Sequence, residues 1–157
     1  MTPKQAVAYA KENKAVAAGL KFLDFLGIWQ HFTIPMTEFS EDLFEEGSGF
    51  DGSSIRGWQP INASDMLVMP DPETVQMDPF CAEPTVTAIC NIVDPITKED
   101  YSRDPRNIAR KAEAYLKSKM GKDAVAYFGP EPEFFIFDNV RYTVDQQESY
   151  FHVDSIE

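Results

Sequence analysis

The stretch TVTAICNIVDP, Thr85 to Pro95, has a plain strand pattern and separates two differently built regions of the chain. It is rich in β-branched residues, which favour strands, and it ends in turn residues. A few residues later, SRDPRNIARKAEAYLKSKM, from Ser102, predicts a helix that starts at Asp104 and Pro105. Apolar residues follow at helical spacing, namely Ile108, Ala109, Ala112, Tyr115, Leu116 and Met120. This order of elements indicates the α+β class.

The region before this strand begins with a helix and a hairpin. Thr2 followed by Pro3 is typical of a helix N-cap with proline in the first helical position, and the helix should fade by Asn13. The next apolar segment, LKFLDFLGIWQHFTIP, runs from Leu20 to Pro35. We interpret it as two strands of a hairpin interrupted at Gly27, although Leu-Gly is not a strong turn pair.

A long segment without sustained periodicity follows, GFDGSSIRGWQPINASDMLVMPDPET, from Gly49 to Thr74. Its many Gly, Ser, Asn, Asp and Pro residues predict a loop with one brief strand at Met66 to Met69. Its apolar side chains argue against disorder, and they include Phe50, Ile55, Trp58 and Ile61. Two interpretations stay open: a functional loop, or an ordered loop that only covers a core.

The stretch GPEPEFFIFD, Gly129 to Asp138, predicts a strand that VAYF begins at Val125. On a strand, Glu131 and Glu133 face the same side, with Cα atoms roughly 6.6 Å apart. Two carboxylates on one face need a positive partner, and a divalent cation such as Mg²⁺ suits their oxygens. The alternative is a solvent-facing edge strand, because Pro132 cannot donate a ladder hydrogen bond. Beyond Asp138 we expect no closing element.

The composition excludes several classes of protein. The chain has 157 residues and is 43% hydrophobic, enough for one domain with a core or for one domain and part of another. Its formal net charge of -12 disfavours binding to nucleic acid or to an anionic membrane surface. The N-terminus MTPKQAVAYAKENK lacks the features of a secretory signal, and no apolar run is long enough to span a membrane. We therefore expect a cytoplasmic protein.

The cysteines and histidines predict no site of their own. Cys81 and Cys90 are too widely spaced for a zinc cluster or a disulfide framework, so we expect both to be reduced and structural. His31 and His152 are isolated along the chain, and His31 lies in an aromatic stretch where packing is the simpler role.

Residues 1–103 therefore form one expected α+β domain, and residues 104–157 begin a second domain that is incomplete. One helix and one strand cannot bury a face between them, which is the reason for this interpretation. We expect the chain to be the N-terminal part of a longer protein.

Three stretches, taken together, resemble glutamine synthetase of the bacterial type. FEEGSGFDGSSIRGWQPINASDMLVMPD is similar to the loop-bearing part of that family's N-terminal β-grasp domain. YSRDPRNIARKAEAYL is similar to the link into its catalytic α/β domain, and GPEPEFFIFD to its first metal-binding strand. The resemblance covers nearly the whole chain after about residue 15. It implies a β-grasp domain followed by the truncated start of the catalytic domain.

The resemblance also implies a reaction and its cofactors. In this family glutamate and ammonia are joined at the expense of ATP through a γ-glutamyl phosphate, and two Mg²⁺ or Mn²⁺ ions hold the reacting groups. By the motif, Glu133 would bind the cation beside glutamate and Glu131 the cation beside the nucleotide phosphates. The cations would neutralise the anions that meet during phosphoryl transfer.

Four further residues receive roles only through this resemblance. Asp51 would hold ammonium and take its proton, with Ser54 as a supporting contact. The family places this loop in the active site of the neighbouring subunit, which implies a ring-shaped homo-oligomer, by resemblance a dodecamer. Trp58 would line the intersubunit site and Tyr127 would contact the nucleotide, although core packing explains either residue as well.

Three competing interpretations remain at this stage: a relative that attaches other amines to glutamate, a catalytically silent scaffold, and a free-standing β-grasp interaction module. Asp51, Glu131 and Glu133 favour an enzyme, because a silent protein has no chemical need for them. The family's other metal ligands and its substrate-binding arginines lie beyond residue 157. We therefore expect the 157-residue chain alone to be inactive.

Overall fold

The computed structural model describes residues 1–156 and divides the chain into two compact units, Met1–Val125 and Ala126–Glu157. These units are defined by their internal contacts. The domain boundary expected at residue 103 is a different kind of boundary, and it stays a prediction.

A mixed sheet lies at the centre of the first unit. Its strands are β1 (Ala17–Leu23), β2 (Trp29–Pro35), β3 (Ser48–Asp51), β4 (Asp65–Pro70), β5 (Gln76–Met77) and β6 (Thr85–Val93). They lie in the order β2-β1-β6-β4-β3, and β5 also pairs with β6. Strands β1 and β6 run parallel, whereas the other neighbours are antiparallel. The strand predicted from Thr85 is therefore confirmed, and it is the middle strand of this order.

Strands β1 and β2 form the predicted hairpin, paired in antiparallel register along their whole length. Its turn depends on a side chain. The Asp24 carboxylate accepts hydrogen bonds from the backbone N–H groups of Leu26 at 2.9 Å and Ile28 at 3.0 Å. Gly27 has φ of 78°, a conformation that glycine adopts without strain. The turn thus uses a buried aspartate cap, which compensates for the weak Leu-Gly pair.

Helices α1 (Pro3–Glu12) and α2 (Glu41–Glu46) supply apolar side chains to the core of the first unit. The start of α1 is as predicted: Thr2 is the N-cap, Gln5 completes a capping box, and Asn13 ends the helix. The core combines small residues of α1 with larger residues of α2 and the sheet, namely Ala6, Ala10, Leu43, Phe44, Leu20, Val68, Val86 and Ile92. Burial of these side chains is the main source of stability of the unit.

The predicted third helix is confirmed as α3 (Pro105–Met120), and Asp104 is its N-cap. The Asp104 carboxylate accepts hydrogen bonds from the backbone N–H groups of Arg106 at 3.0 Å and Ile92 at 3.2 Å. Asp104 is fully buried, and this burial raises its pKa. The Asp104 side chain therefore caps α3 and also connects its first turn to β6 by a hydrogen bond.

The segment from Gly49 to Thr74 is more regular than the sequence predicts. The brief strand at Met66 to Met69 is confirmed as part of β4, but the predicted loop also contains strand β3, which pairs with β4. Strand β3 has four residues and includes a glycine, so it offers almost no period for a sequence pattern to reveal. The loop is therefore shorter than expected and is anchored in the sheet at both ends.

The second unit consists of an irregular segment followed by a hairpin of β7 (Asn139–Val144) and β8 (Ser149–Asp154). Two expectations were wrong here. The predicted strand from Val125 to Asp138 has no regular secondary structure, and a closing element does follow it. A strand needs a ladder partner, and no strand within residues 1–156 pairs with this segment, which explains the irregular backbone. Its last residue, Asp138, donates a backbone hydrogen bond to the Asp154 carbonyl, where the β7-β8 hairpin begins.

Two expectations about single residues also need correction. Cys90 is buried, and burial raises the pKa of its thiol to about 12, but Cys81 is exposed and so has no packing role. His31 lies exposed on β2 instead of packing among the aromatic residues. No helix within residues 1–156 is long and apolar enough to cross a membrane.

Candidate functional site

Asp51 is the last residue of β3 and stands directly before a short 3-10 helix, Gly52–Ser54. Its backbone pairs with Asp65 of β4, so the sheet fixes the position of its Cα atom. The chain leaves the sheet at Asp51 and returns at Asp65, and we call residues 51–64 the Asp51 loop. A carboxylate at the mouth of such a loop is fixed by the strand and still reaches solvent.

The Asp51 carboxylate is oriented by Ser53. One oxygen, Oδ1, accepts a hydrogen bond from the Ser53 backbone N–H at 2.8 Å and another from the Ser53 hydroxyl at 2.6 Å. These bonds lower the pKa of Asp51, the hydroxyl most strongly, and the Ser64 and Ser54 hydroxyls add smaller effects in the same direction. Asp51 is therefore an exposed, ionised carboxylate at neutral pH, the state in which it can hold a cation.

Gly52 is required by the close approach of the loop to β4. A Cβ atom at this position would lie 2.2 Å from Met66 Sδ and 3.1 Å from the Ser64 carbonyl oxygen. The Gly52 N–H donates to that carbonyl at 2.7 Å, which closes the base of the loop. The glycine of the DGSS motif thus permits the contact that keeps Asp51 at the edge of the sheet.

An open cleft of about 300 Å³ lies beside Asp51. On one side it is bounded by the loop, with Asp51, Ser54 and Ile55, and on the other by β2, with Gln30 and Phe32. Ser54 is exposed and lines the same cleft as the carboxylate. The structure therefore brings the predicted pair, Asp51 and Ser54, to one cleft.

Trp58 is a residue of the loop, and its ring packs in an aromatic cluster. It is 2% exposed, and its ring centroid lies 5.6 Å from that of Phe22, 6.2 Å from that of Phe50 and 5.3 Å from that of Tyr101. Within residues 1–156 its indole N–H has no hydrogen-bond partner. Packing accounts for the position of Trp58 in this chain, and its role at an intersubunit site stays a prediction.

Two residues that the sequence did not single out contact the middle of the loop. The Tyr101 hydroxyl donates to the Trp58 carbonyl oxygen at 3.0 Å. Arg103 Nη1 donates to the same oxygen at 3.0 Å and to the Gly57 carbonyl at 2.9 Å. Such contacts join residues far apart in sequence to backbone atoms, and no periodicity or motif signals them.

Glu131 and Glu133 have very different surroundings. Both are exposed, and they lie in the irregular segment of the second unit, in what we call the acidic stretch (residues 129–138). The apolar neighbours Phe134 and Phe135 are 80% and 86% exposed. Across residues 1–156 no group of three or more His, Cys, Asp or Glu side chains is arranged to hold a metal ion. These residues offer carboxylate oxygens of the right kind, but only a partial ligand set.

The predicted site residues therefore fall into two groups. Asp51, Ser54 and Trp58 belong to the first unit, whereas Tyr127, Glu131 and Glu133 belong to the second. Tyr127 is 92% exposed, so core packing does not explain it in this chain. Its contact with a nucleotide stays a prediction, as do the roles of the two glutamates.

Comparison with family models gives two matches in consecutive order. Residues 15–95 match the model described as "Glutamine synthetase, beta-Grasp domain". Residues 102–157 match "Glutamine synthetase, catalytic domain". The first match alone covers more than half of the chain and agrees with the α+β architecture of the first unit.

Comparison with individual proteins gives the same family. The chain is 49% identical over 156 residues to a glutamine synthetase of Azorhizobium caulinodans, covering 99% of this chain and 33% of the relative. It is 51% identical over 147 residues to a protein of Cupriavidus pinatubonensis named 3-hydroxylaminophenol mutase, covering 94% of this chain and 31% of that protein. The chain thus spans about a third of the length of the curated relatives it matches.

The fold is also similar to that of a solved structure. A cryo-electron-microscopy structure of Plasmodium falciparum glutamine synthetase matches with a TM-score of 0.71 and 22% sequence identity. The match covers 100% of this chain and 30% of that one.

Proposed function

The chain belongs to the glutamine synthetase family, and from this premise we propose that it forms the first third of a glutamate–ammonia ligase. The reaction would transfer the γ-phosphoryl group of ATP to the side-chain carboxylate of L-glutamate, giving ADP and a γ-glutamyl phosphate. Ammonia would then displace phosphate from this intermediate to form glutamine. The observation that carries the proposal is the pair of consecutive family matches, β-grasp domain and then catalytic domain, over almost the whole chain. Nearly half of the residues are identical to those of a relative named glutamine synthetase.

Asp51 is the residue we propose for ammonium. Its lowered pKa keeps the carboxylate charged, and a charged carboxylate attracts a small cation. One of its oxygens, Oδ1, is engaged by Ser53, so Oδ2 is the oxygen we propose for the substrate. Burial of this exposed carboxylate against a neighbouring subunit would raise its pKa, which would help it to take a proton from ammonium.

Glu131 and Glu133 are the residues we propose for divalent cations. Their oxygens suit hard ions such as Mg²⁺ or Mn²⁺, and two side chains leave most coordination positions for other ligands. When bound, the cations would neutralise the phosphate and carboxylate charges that meet in phosphoryl transfer. We assign Glu131 to the nucleotide side and Glu133 to the glutamate side, following the motif.

The partner we propose is a second copy of the same subunit. Asp51 lies at the exposed mouth of its cleft and in a different unit of the chain from the two glutamates. A ring-shaped homo-oligomer would let the Asp51 loop of one subunit complete the active site of its neighbour. Trp58 and Tyr127 keep their proposed roles beside the intersubunit site and the nucleotide.

A second candidate is a relative with the same architecture and another reaction. We consider this candidate because the chain is also 51% identical, in this region, to a protein named 3-hydroxylaminophenol mutase. A ligase that uses larger amines would share the same metal residues. Asp51 favours ammonium, since a single exposed carboxylate held by Ser53 suits a small cation.

The test is a fusion in which this chain replaces the matching third of the Azorhizobium caulinodans relative. We expect ATP-dependent formation of glutamine from glutamate and ammonium, with a clear preference for ammonium over polyamines. The 157-residue chain alone should be inactive, because it carries only part of the proposed ligand set. A correctly assembled fusion that forms no glutamine would contradict the proposal.

Mixed oligomers test the shared site separately. Fusions with Asp51→Ala and with Glu133→Ala should each be inactive, and co-assembly of the two should restore part of the activity. In mixed rings some sites would combine an intact Asp51 from one subunit with an intact Glu133 from another. Absence of any rescue would contradict the intersubunit assignment while leaving the reaction itself in place.

A further inference from the structure

The middle of the Asp51 loop, at Gly57 and Trp58, is held by side chains from a distant part of the chain. Tyr101 and Arg103 both donate to the Trp58 carbonyl oxygen, each at 3.0 Å, and Arg103 also reaches Gly57. The paired residues are 43 to 46 positions apart in sequence. We infer that Tyr101 and Arg103 are positioning residues for the ammonium site, an inference that rests on the function proposed above.

Two hydrogen-bonded backbone turns connect the Trp58 carbonyl contact to the residues beside Asp51. The Ile55 N–H donates to the Gly52 carbonyl at 3.2 Å, and the Trp58 N–H donates to the Ile55 carbonyl at 3.1 Å. Ile55 is itself buried, which limits movement between the turns. Because each turn is closed by its own hydrogen bond, displacement of the carbonyl at Trp58 shifts the backbone that orients Ser53.

The two donors have complementary effects on the loop. The Tyr101 ring packs against Trp58, so its hydroxyl is placed by an apolar contact and adds a hydrogen bond to it. The Arg103 guanidinium is a rigid, charged group, and its Nη1 spans two successive carbonyl oxygens. Two bonds from one planar group fix direction as well as distance. Gly57, with φ of 82°, lets the chain reverse at this point and present both carbonyls.

This arrangement predicts a selective effect on one substrate. Asp51 is the residue proposed for ammonium, whereas the residues proposed for metal and nucleotide lie in the other unit. Loosening the loop should therefore weaken the use of ammonium and leave the apparent affinity for ATP nearly unchanged. A role in stability alone would lower the amount of folded enzyme and change no KM value.

The experiment uses the fusion described above with Tyr101→Phe, Arg103→Gln and both together. We expect KM for ammonium to rise roughly fivefold for Tyr101→Phe, which loses one hydrogen bond, and roughly tenfold for Arg103→Gln, which loses the two bonds from the guanidinium. KM for ATP should change less than about twofold. The double variant should show less than the product of the two effects, because both donors share one acceptor.

Matched controls come from the exposed face of α3. Tyr115→Phe and Arg110→Gln make the same chemical changes at exposed positions and should leave KM for ammonium unchanged. Arg103→Lys retains the charge but not the planar group, and should restore part of the loss.

The outcomes separate this inference from the proposed function. An unsubstituted fusion that is assembled but inactive contradicts the proposed function, and the inference then falls with it. An active fusion in which the variants leave KM for ammonium unchanged, or raise both KM values equally, contradicts the positioning role alone. Hydrogen exchange on the 157-residue chain gives a second measurement, with faster exchange of the Gly52 and Ile55 amides expected in the Arg103→Gln variant.

Discussion

The Asp51 loop and the acidic stretch carry the same chemical group in opposite surroundings. Asp51 lies between a paired strand and a hydrogen-bonded turn. The ring of Trp58, in the same loop, packs against Phe50 of β3. Glu131 and Glu133 lie in an irregular, exposed segment, beside phenylalanine rings that are also exposed. One carboxylate is oriented by residues 1–156, and the other two are not.

The difference shows which of the two regions is organised by contacts within this chain. The Asp51 loop is fixed by contacts within one compact unit, so its geometry exists before any substrate or partner binds. A strand that carries metal ligands needs neighbouring strands, because its backbone groups must pair and its apolar side chains must be covered. Within the described residues the acidic stretch pairs with no strand, and its apolar side chains Phe134, Phe135 and Ile136 are exposed.

Replacement of a buried and of an exposed aromatic ring should give the largest difference between the two regions in the free energy of unfolding. Trp58→Ala removes a side chain that is 2% exposed, and we expect a loss of about 3 to 5 kcal/mol in the free energy of unfolding. Phe135→Ala, at 86% exposure in the acidic stretch, should change it by less than about 0.5 kcal/mol. Denaturant unfolding followed by circular dichroism measures both.

Trp58→Phe is the matched control, because it retains an aromatic ring and removes an indole N–H that has no partner within residues 1–156. Trp58→Phe should lower the free energy of unfolding clearly less than Trp58→Ala does. Equal destabilisation by Trp58→Ala and Phe135→Ala would show that the two regions do not differ in packing.

Glycine-to-alanine substitutions in the two regions should differ by an intermediate amount in the free energy of unfolding. Gly52→Ala forces a Cβ atom against Met66 and the Ser64 carbonyl, so we expect a loss of about 1 to 3 kcal/mol in unfolding free energy. Gly49→Ala on β3 and Gly129→Ala in the acidic stretch meet nothing within 4 Å and should change stability by less than about 0.5 kcal/mol. Comparable losses at all three positions would contradict the close approach at Gly52.

Much of the first unit could be predicted from the sequence. The N-cap at Thr2 and the strand from Thr85 have strong local signals, and both are confirmed. Strand β3 was missed, because four residues interrupted by a glycine carry no usable period. The irregular backbone at Glu131 could not be predicted either, because the pattern EFFIF favours a strand whether or not a partner strand is present.

For the candidate site, residue types can be predicted from the sequence, but the contacts between them cannot. The family resemblance predicts Asp51 and Ser54, and both residues line one cleft. The structure adds Ser53 as the residue that holds the carboxylate, and Tyr101 and Arg103 as the residues that hold the loop. Contacts of this kind depend on tertiary distance, which spacing along the chain does not reveal.

The smallest expected effect concerns the ionisation of Asp51. Ser53→Ala removes the hydroxyl that contributes most to its lowered pKa, so the pKa should rise toward the ordinary value of aspartate. Ser54→Ala should raise it less, because that hydroxyl contributes least among the three serines. Titration of the Asp51 side-chain carboxyl by ¹³C NMR, on a chain shown to stay folded in acid, measures both shifts.

The sign of the pH dependence follows from the same bonds. Since the folded pKa is lowered, Asp51 favours the folded state above the unfolded pKa, and this contribution is lost as the pH falls through the folded pKa. The Ser53→Ala variant should therefore lose less stability over that acidic interval. Because Asp51 is exposed, solvent screens the interaction and the difference should be small. A larger shift from Ser54→Ala than from Ser53→Ala would contradict the assignment of Ser53 and would make Ser54 the residue that orients the carboxylate.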